Sequence, residues 1–235
     1  MLGALISEIF YSLSGEGISQ GIPTVFVRFA GCSLRCGKTG TKKLWCDTEY
    51  SLSPNSGSKM DVPEILNRIN ELSKNPTQVI LTGGEPLEGQ NKEFSIEISK
   101  QIFTERINAI FCSVRIETNG KEDIRSIPHA VFSLDYKLPG SGMEEFMFRE
   151  NFEYLRERKN PLDEIKFVVR DREDFDKAIY IVSKWNLGNL CLLFSPVQKE
   201  LEPVTLAEWL KETNLPNSKL SIQLHKYLWG NLRGV

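Results

Sequence analysis

Three cysteines lie close together in the segment GCSLRCGKTGTKKLWCDTEY, which spans residues 31 to 50. Cys32, Cys36 and Cys46 are three of the five cysteines in the chain. Cysteine thiolates are soft ligands that bind zinc, copper(I) and iron–sulfur clusters. A structural zinc site needs four ligands, whereas a cluster of four irons takes one cysteine on each iron. Three cysteines on such a cluster would leave one iron open to another ligand.

No other metal ligand is near these cysteines in the sequence. Cys112 and Cys191 lie in apolar stretches, where we expect small buried hydrophobic residues. The two histidines, His129 and His225, are distant in the chain, although folding can bring one close. The odd number of cysteines argues against a disulfide framework. The residues alone leave three interpretations open: a zinc site, a four-iron cluster with an open position, and an incidental grouping of thiols.

Four short motifs follow predicted strands and add polar groups. They are TGGEPL (82–87), ETNG (117–120), SLDYK (133–137) and FSPV (194–197). In barrel-like sheets, functional sites are built at the C-terminal ends of parallel strands. Gly83 and Gly84 would let the backbone approach a ligand closely. Glu117 could bind two ribose hydroxyls, and Asp135 with Lys137 could bind the charged groups of an amino acid.

The hydrophobic pattern predicts elements that bring these motifs to one edge of a sheet. Residues 4–10 and 24–30 are predicted to form an N-terminal hairpin. Six further strands are predicted at 78–82, 111–118, 130–136, 164–170, 190–194 and 219–224. Helices are predicted at 62–72, 92–104, 144–158, 175–185 and 205–213. This alternation is typical of an α/β protein, and we predict a partial (open) β/α barrel of about six parallel strands in a single domain, residues 1–235.

The composition restricts the classes of partner. The chain has 29 Lys and Arg against 31 Asp and Glu, a net charge of −2, with the two signs mixed along the sequence. This balance does not favour nucleic acid or an anionic membrane surface. No apolar run has the length of a membrane span, and the start MLGALISEIFYSL lacks the features of a secretory signal. We therefore expect a cytoplasmic protein without direct nucleic-acid or membrane partners.

Seven segments resemble one known family in the same order. They are EIFYSLSGEG (8–17), VFVRFAGCSLRC (25–36), WCDT (45–48), GGEP (83–86), ETNG (117–120), DEIKFVV (163–169) and QLHKYLWGNLRGV (223–235). GGEP is typical of the radical S-adenosylmethionine (SAM) superfamily. The first and last segments are typical of the 7-carboxy-7-deazaguanine synthases within it. The resemblance covers nearly the whole chain and implies the radical SAM type of partial barrel.

The resemblance also implies two cofactors. Cys32, Cys36 and Cys46 would hold a four-iron, four-sulfur (4Fe-4S) cluster, and SAM would chelate its fourth iron. Electron transfer into the sulfonium would then release a 5′-deoxyadenosyl radical. The residues implied to bind SAM are Gly83, Gly84, Glu85, Glu117, Asp135, Lys137, Phe194, Ser195, Pro196 and Val197.

The implied substrate is 6-carboxy-5,6,7,8-tetrahydropterin. Its ring would contract to 7-carboxy-7-deazaguanine with loss of ammonia, the reaction of a carbon–nitrogen lyase in queuosine biosynthesis, a tRNA modification pathway. Arg28 would bind the substrate carboxylate through its planar fork. Thr48 would bind Mg²⁺, which prefers oxygen ligands. The other residues implied to surround the substrate are Leu13, Ser14, Gly15, Glu16, Thr82, Gln223, His225 and Val235.

The cysteine loop departs from the superfamily pattern. Nine residues separate Cys36 from Cys46, where most members have two. We favour a solvated bulge for the additional segment, 37–44, because a surface insertion costs little loop-closure entropy. The alternative is a contact with an acidic electron donor similar to a flavodoxin or ferredoxin, made by Lys38, Lys42 and Lys43.

Two further residues differ from the family pattern. Ser14 stands where Gln is frequent, and Asp135 stands where Ser is frequent. The resemblance also implies a homodimer. Three alternatives stay open: a radical SAM activase that takes hydrogen from a partner protein, a zinc-binding interaction module without catalysis, and a synthase-like protein with a regulatory partner.

Overall fold

The computed structural model describes residues 3–37, 44–74, 76–105 and 113–235. Nine strands are present in these ranges. They are β1 (Ala4–Leu13), β2 (Pro23–Phe29), β3 (Ser58–Met60), β4 (Gln78–Gly83), β5 (Ser113–Thr118), β6 (Val131–Tyr136), β7 (Glu164–Val169), β8 (Cys191–Pro196) and β9 (Ser218–Leu220). The predicted N-terminal hairpin is confirmed, because β1 pairs antiparallel with β2.

All nine strands belong to one sheet, in the order β3, β1, β2, β4, β5, β6, β7, β8, β9. From β2 onward the seven strands β2 and β4 to β9 run parallel. Strand β3 pairs antiparallel with β1 and was not predicted, since three residues are too short for a periodic signal. Within the described residues the edge strands β3 and β9 do not pair with each other. The predicted partial barrel is confirmed, with seven parallel strands in place of about six.

Six α-helices are present in the same ranges. They are α1 (Val62–Leu72), α2 (Gln90–Glu105), α3 (Arg149–Arg158), α4 (Arg172–Lys184), α5 (Pro203–Thr213) and α6 (Leu224–Trp229). The start of α1 shows why these segments are helical. Asp61 Oδ1 accepts from Glu64 N at 2.9 Å, and Glu64 Oε2 accepts from Asp61 N at 2.7 Å, which satisfies two backbone donors at the helix end. Among the described residues, no helix combines the length and the apolar character needed to cross a membrane.

Two predicted elements are wrong in part. The segment 144–158 begins with a short 3₁₀ turn, Glu144–Phe146, and its α-helix starts at Arg149 after extended backbone at Phe148. The predicted strand 219–224 ends at Leu220. Its apolar alternation is typical of a strand, but the chain leaves the sheet and starts α6, where Leu224 N donates to Gly15 O at 2.9 Å.

The two faces of the sheet have different roles. Successive residues of a strand point to opposite faces. One set is apolar and forms a buried core with the helices; it includes Val27, Leu81, Ile116, Leu134 and Phe167. The residues that alternate with this set are polar and line a cleft; they include Arg28, Thr82, Glu117, Asp135 and Lys166.

The remaining predictions concern the other two cysteines and the lysines of the cysteine loop. Cys112 and the lysines of the cysteine-loop insertion, Lys38, Lys42 and Lys43, lie outside the described residues. Cys191, which was predicted to be a small buried residue, is a free cysteine of intermediate exposure.

Candidate active site

The cleft has a volume of about 1270 Å³ and contains nearly all of the predicted site residues. It collects side chains from the sheet, the cysteine loop, α6 and the last residues of the chain. Of the residues implied by the resemblance, all but Ser14 and Phe194 line it. Residues separated by up to about two hundred positions therefore meet in one space.

The cysteine loop lies against the segment that follows it. Gly31 N donates to Ser51 O at 2.8 Å and Cys32 N donates to Leu52 O at 3.1 Å. Trp45 N donates to Cys36 O at 3.2 Å, and this bond brings the third cysteine back toward the second. The loop is thereby closed despite its additional residues.

The three cysteines are free, partly exposed and line the cleft. Asn119 Nδ2 lies 3.6 Å from Cys32 Sγ, and Thr48 Oγ1 lies 3.5 Å from Cys46 Sγ. Burial raises the pKa of the Cys32 thiol to about 11 and also raises the pKa of Cys36. Among the described residues, no group of three or more His, Cys, Asp and Glu side chains is arranged to hold a single metal ion.

The two glycines of GGEP pack against protein backbone. Gly83 has φ of +127°, and a Cβ there would lie 2.3 Å from Phe29 O. A Cβ on Gly84 would lie 2.3 Å from Gly31 O and 2.7 Å from Ser51 O. Both positions require glycine because the GGEP turn packs directly against the end of β2 and the start of the cysteine loop. The two glycines were predicted only to allow close approach of a ligand, and this backbone packing was not predicted.

Glu85 joins the GGEP turn to the ETNG motif. Its carboxylate accepts from Thr118 Oγ1 at 2.7 Å, Asn119 N at 2.8 Å and Leu87 N at 3.0 Å. Burial raises the pKa of Glu85 to about 7, against the effect of these donors. With three protein donors on its two oxygens, this side chain positions the two motifs.

Polar atoms at the ends of β6 and β8 are buried in the cleft wall. Lys137 pairs with Asp135 Oδ2 at 2.5 Å, while Asp135 Oδ1 has no hydrogen-bond partner among the described residues. Ser195 Oγ is likewise buried without such a partner. Buried polar atoms are normally satisfied, so these two atoms fit contacts to a bound polar ligand.

Thr82 and Glu117 stand next to each other on β4 and β5. Thr82 Oγ1 donates to Glu117 Oε2 at 2.7 Å. Burial raises the pKa of Glu117, and the Thr82 hydrogen bond opposes that shift. The pair places one hydroxyl and one carboxylate between the two ends of the cleft.

Arg28 is held by a carboxylate on the neighbouring strand. Its Nε donates to Glu8 Oε1 at 2.7 Å, and Tyr50 Oη donates to the same oxygen at 2.9 Å. The guanidinium lies 5.8 Å from the Phe10 ring centroid and 5.9 Å from that of Tyr50. Within the described residues Nε makes the one hydrogen bond of this side chain, so both Nη groups are available to a ligand.

Residues from near both ends of the chain meet in the cleft. Gln223 Nε2 donates to Glu16 Oε1 at 2.6 Å and to Asp47 Oδ2 at 2.7 Å. The His225 ring packs on Gly15, where a Cβ would lie 2.2 Å from Nδ1. Burial lowers the pKa of His225. Val235 also lines the cleft, as the resemblance implies.

Comparisons with known proteins agree with this arrangement. A family model described as a 4Fe-4S single cluster domain matches residues 13–122. The chain is 57% identical over 232 residues to a 7-carboxy-7-deazaguanine synthase of Leptospira interrogans, covering 98% of this chain and 97% of the relative. A synthase of the same name from Clostridium acetobutylicum is 38% identical, covering 98% of each. The chain belongs to the 7-carboxy-7-deazaguanine synthase family.

The fold comparison supports the architecture. A solved structure described as QueE from Escherichia coli matches with a TM-score of 0.70 and 21% identity, covering 95% of each chain. The predicted family, its radical SAM fold and the enzyme class are thus confirmed. Membership in this synthase family argues against the activase and the zinc-binding module.

Two of the implied site residues have side chains that do not line the cleft. Phe194 is fully buried, and its ring lies 5.2 Å from that of Phe167 and 5.7 Å from that of Phe175, because it points to the core face of β8. Ser14 is buried outside the cleft, and its hydroxyl lies 3.0 Å from Ser19 Oγ. Neither side chain points into the cleft.

Other cleft residues were not singled out from the sequence. Lys166 pairs with Glu16, and Glu8 holds Arg28. Arg233 lies over Tyr50, with 3.5 Å between its Cζ and the ring centroid. A signal for Lys166 exists in DEIKFVV, where a lysine stands between the apolar residues Ile165 and Phe167.

Proposed function

We propose that this chain catalyses the SAM-dependent radical ring contraction of 6-carboxy-5,6,7,8-tetrahydropterin to 7-carboxy-7-deazaguanine and ammonia. The proposal is supported above all by one observation. A single cleft combines three free thiols, the buried group of Glu117, Asp135 and Lys137, and an arginine with both Nη groups available. The cleft therefore offers thiols for a redox cofactor, charged groups for a zwitterionic nucleotide and a cation for an anionic substrate.

The donor set fits the cofactors of the family. Cys32, Cys36 and Cys46 would hold the 4Fe-4S cluster, because they supply three soft ligands beside an open cleft. Asp135, Ser195 and the backbone near Gly84 would bind SAM, since Asp135 and Ser195 have buried oxygen atoms in need of partners. When bound, the cluster and SAM would supply the radical that removes a hydrogen atom from the substrate.

The chain's own residues would bind and orient the substrate. Arg28 would bind the substrate carboxylate with its two Nη groups, since Glu8 occupies its Nε and fixes the fork. Thr82 and Glu16 would face the pterin ring from opposite sides of the cleft. The last residues, ending at Val235, would cover the site and exclude water.

We further propose a Mg²⁺ ion at Thr48. Its hydroxyl lies in the cleft beside Asp47. Burial raises the pKa of Asp47, but Lys166, the Gln223 hydrogen bond and neighbouring cations together outweigh burial and lower it. Oxygen ligands of this kind suit a hard cation that also retains waters. The ion would bridge the protein and substrate oxygens.

The remaining partner assignments are proposals too. We propose a single radical SAM domain, a homodimer, a cytoplasmic location and reduction by a flavodoxin- or ferredoxin-like protein. The homodimer is supported by exposed apolar side chains at the β9 edge and in α6: Leu220, Ile222, Tyr227 and Leu228. The single domain is supported by the one sheet and its continuous core.

Anaerobic turnover tests the proposed function. Reconstituted enzyme is incubated with reductant, SAM, Mg²⁺ and the carboxytetrahydropterin, and the deazaguanine product is measured by mass spectrometry. We expect product from wild type, less product after Mg²⁺ is removed with EDTA, and none from Cys46→Ser. Absence of product from wild type that contains about four irons and four sulfides would refute the proposal. Colourless protein with one zinc would instead support the interaction module.

A further inference from the structure

Lys166 is a cation in the cleft wall that the resemblance does not assign. It lies on β7, and its ammonium pairs with Glu16 Oε2. The two side chains are 20% and 17% exposed, so the pair is largely removed from water. Among the described residues this is the one hydrogen bond of the ammonium, which has three N–H donors.

The charges around Lys166 keep the pair ionised. Burial lowers the pKa of Lys166, but Glu16 and Asp135 outweigh burial and raise it. Burial raises the pKa of Glu16, but Lys166 and the Gln223 hydrogen bond together outweigh burial and lower it. Both partners are therefore charged at neutral pH.

Strand β7 holds the loop after β1 at two points on one face. Glu164 Oε2 accepts from Ile18 N at 2.7 Å, and two residues further along the strand Lys166 binds Glu16. Residues two apart on a strand face the same side, so the two anchors act together. Gly17 lies between the anchored residues, and a Cβ there would lie 2.3 Å from Glu164 Oε1.

Glu16 is fixed from two directions. Lys166 binds one carboxylate oxygen, and Gln223 Nε2 donates to the other at 2.6 Å. A carboxylate oxygen has further lone pairs, so each can accept another hydrogen bond. The carboxylate stays open to adjacent N–H donors of a ligand in the cleft.

We propose that Lys166 is a positioning residue for substrate recognition, holding Glu16 as an oriented, ionised acceptor for the adjacent N–H donors of an aminopyrimidinone ring. This inference rests on the proposed function, since the pterin substrate carries such an edge. Lys166 acts through Glu16 and not on the reacting atoms. Its loss should therefore weaken pterin binding more than it slows turnover at saturation.

Substrate binding and kinetics of the cluster-loaded enzyme test the inference. The pterin Kd is measured by anaerobic equilibrium dialysis without reductant, and KM and kcat are measured with reductant. We expect Lys166→Met to raise Kd and KM by roughly 10- to 100-fold, the effect of losing a charged hydrogen bond, with a smaller change in kcat. Lys166→Arg should recover most of the affinity. Lys211→Met is the control, because Lys211 lies outside the cleft and pairs with Glu208 at 2.7 Å on an exposed face of α5.

A double-mutant cycle decides whether Lys166 acts through Glu16. In a Glu16→Gln background, Lys166→Met should change the pterin Kd by less than about 2-fold, because the partner charge is already absent. Independent, multiplicative losses in the double variant would overturn the inference, as would equal losses in Lys211→Met and Lys166→Met. If Lys166→Met alone does not fold, the double variant is compared with Glu16→Gln instead, because it leaves no unpaired charge at this site. Wild type that binds pterin but forms no product would refute the proposed function, while the binding cycle would still decide the role of Lys166.

Discussion

The two halves of the cleft are built in different ways. The cofactor half, defined as the cysteine loop with GGEP, ETNG and the end of β6, follows consecutive parallel strands and is joined by backbone contacts and the buried Glu85. The substrate half, defined as residues 13–18 and 223–235 with Arg28 and Lys166, brings together the two ends of the chain. Close packing holds the first half, whereas charge pairs and polar side chains hold the second.

This difference predicts different responses to substitution. Close contacts between backbone segments leave no room for added atoms, so changes in the cofactor half should cost stability and cofactor binding together. The ion pairs of the substrate half line the cleft and are 13–20% exposed, so they contribute less to stability than the packed core. Changes in the substrate half should therefore leave the fold intact and act mainly on pterin binding.

The largest effect is expected for Gly84→Ala. Its Cβ would lie 2.3 Å from Gly31 O, and backbone at both sides would have to shift. We expect a loss of about 3 kcal/mol in the free energy of unfolding and a fall of roughly 10 °C in Tm, together with weaker SAM binding. Calorimetry and SAM titration of the reconstituted protein measure both. Gly188→Ala is the control, because no atom lies within 4 Å of its added Cβ; equal losses in both variants would remove the special role of the GGEP turn.

A smaller effect is expected from the charge of Glu85. Its pKa of about 7 lies above the ordinary 4.5, so the folded state holds this proton where the unfolded state has released it. The contribution of Glu85 to the free energy of unfolding is complete below about pH 4.5 and is lost as the pH rises through about 7. The free energy of unfolding changes by at most about 1.4 kcal/mol per pH unit in this range.

Glu85→Gln should flatten this pH dependence. Urea unfolding of the reconstituted variant and wild type between pH 5 and 8 measures the difference in slope. Glu93→Gln, at an exposed position of α2, provides the control and should keep the wild-type slope. A wild-type slope in Glu85→Gln would show that another group titrates in this window.

The sequence allowed the cofactor half to be predicted better than the substrate half. Its motifs follow strands whose apolar periodicity is strong, and parallel strands place their C-terminal ends at one edge. Within the FSPV motif, however, neighbouring residues of β8 point to opposite faces of the sheet. Phe194 faces the core while Ser195 faces the cleft, and a motif matched as a whole hides that difference.

The substrate half depends on pairings that no local pattern contains. Lys166 and Glu16 are 150 positions apart, and Gln223 and Asp47 are 176 apart. The apolar alternation near residue 222 predicted a continued strand, but contacts with Gly15 favour the start of α6. Tertiary contacts here override the local preference, so the geometry could not follow from spacing.

The smallest effect is expected at the end of the chain. Arg233 stacks on Tyr50 and lies 3.4 Å from Glu8 Oε2, so it fastens the last residues to the group that holds Arg28. The Arg233 side chain is 53% exposed, and a contact of this kind contributes about 0.5–1 kcal/mol. Arg233→Ala should therefore raise the pterin KM by about 2- to 5-fold with little change in kcat or Tm. Arg125→Ala, which removes a surface pair with Asp123, should change none of these quantities. A loss as large as that of Lys166→Met would show that the chain end is a principal substrate contact, and a fall in Tm like that of Gly84→Ala would remove the distinction between the two halves.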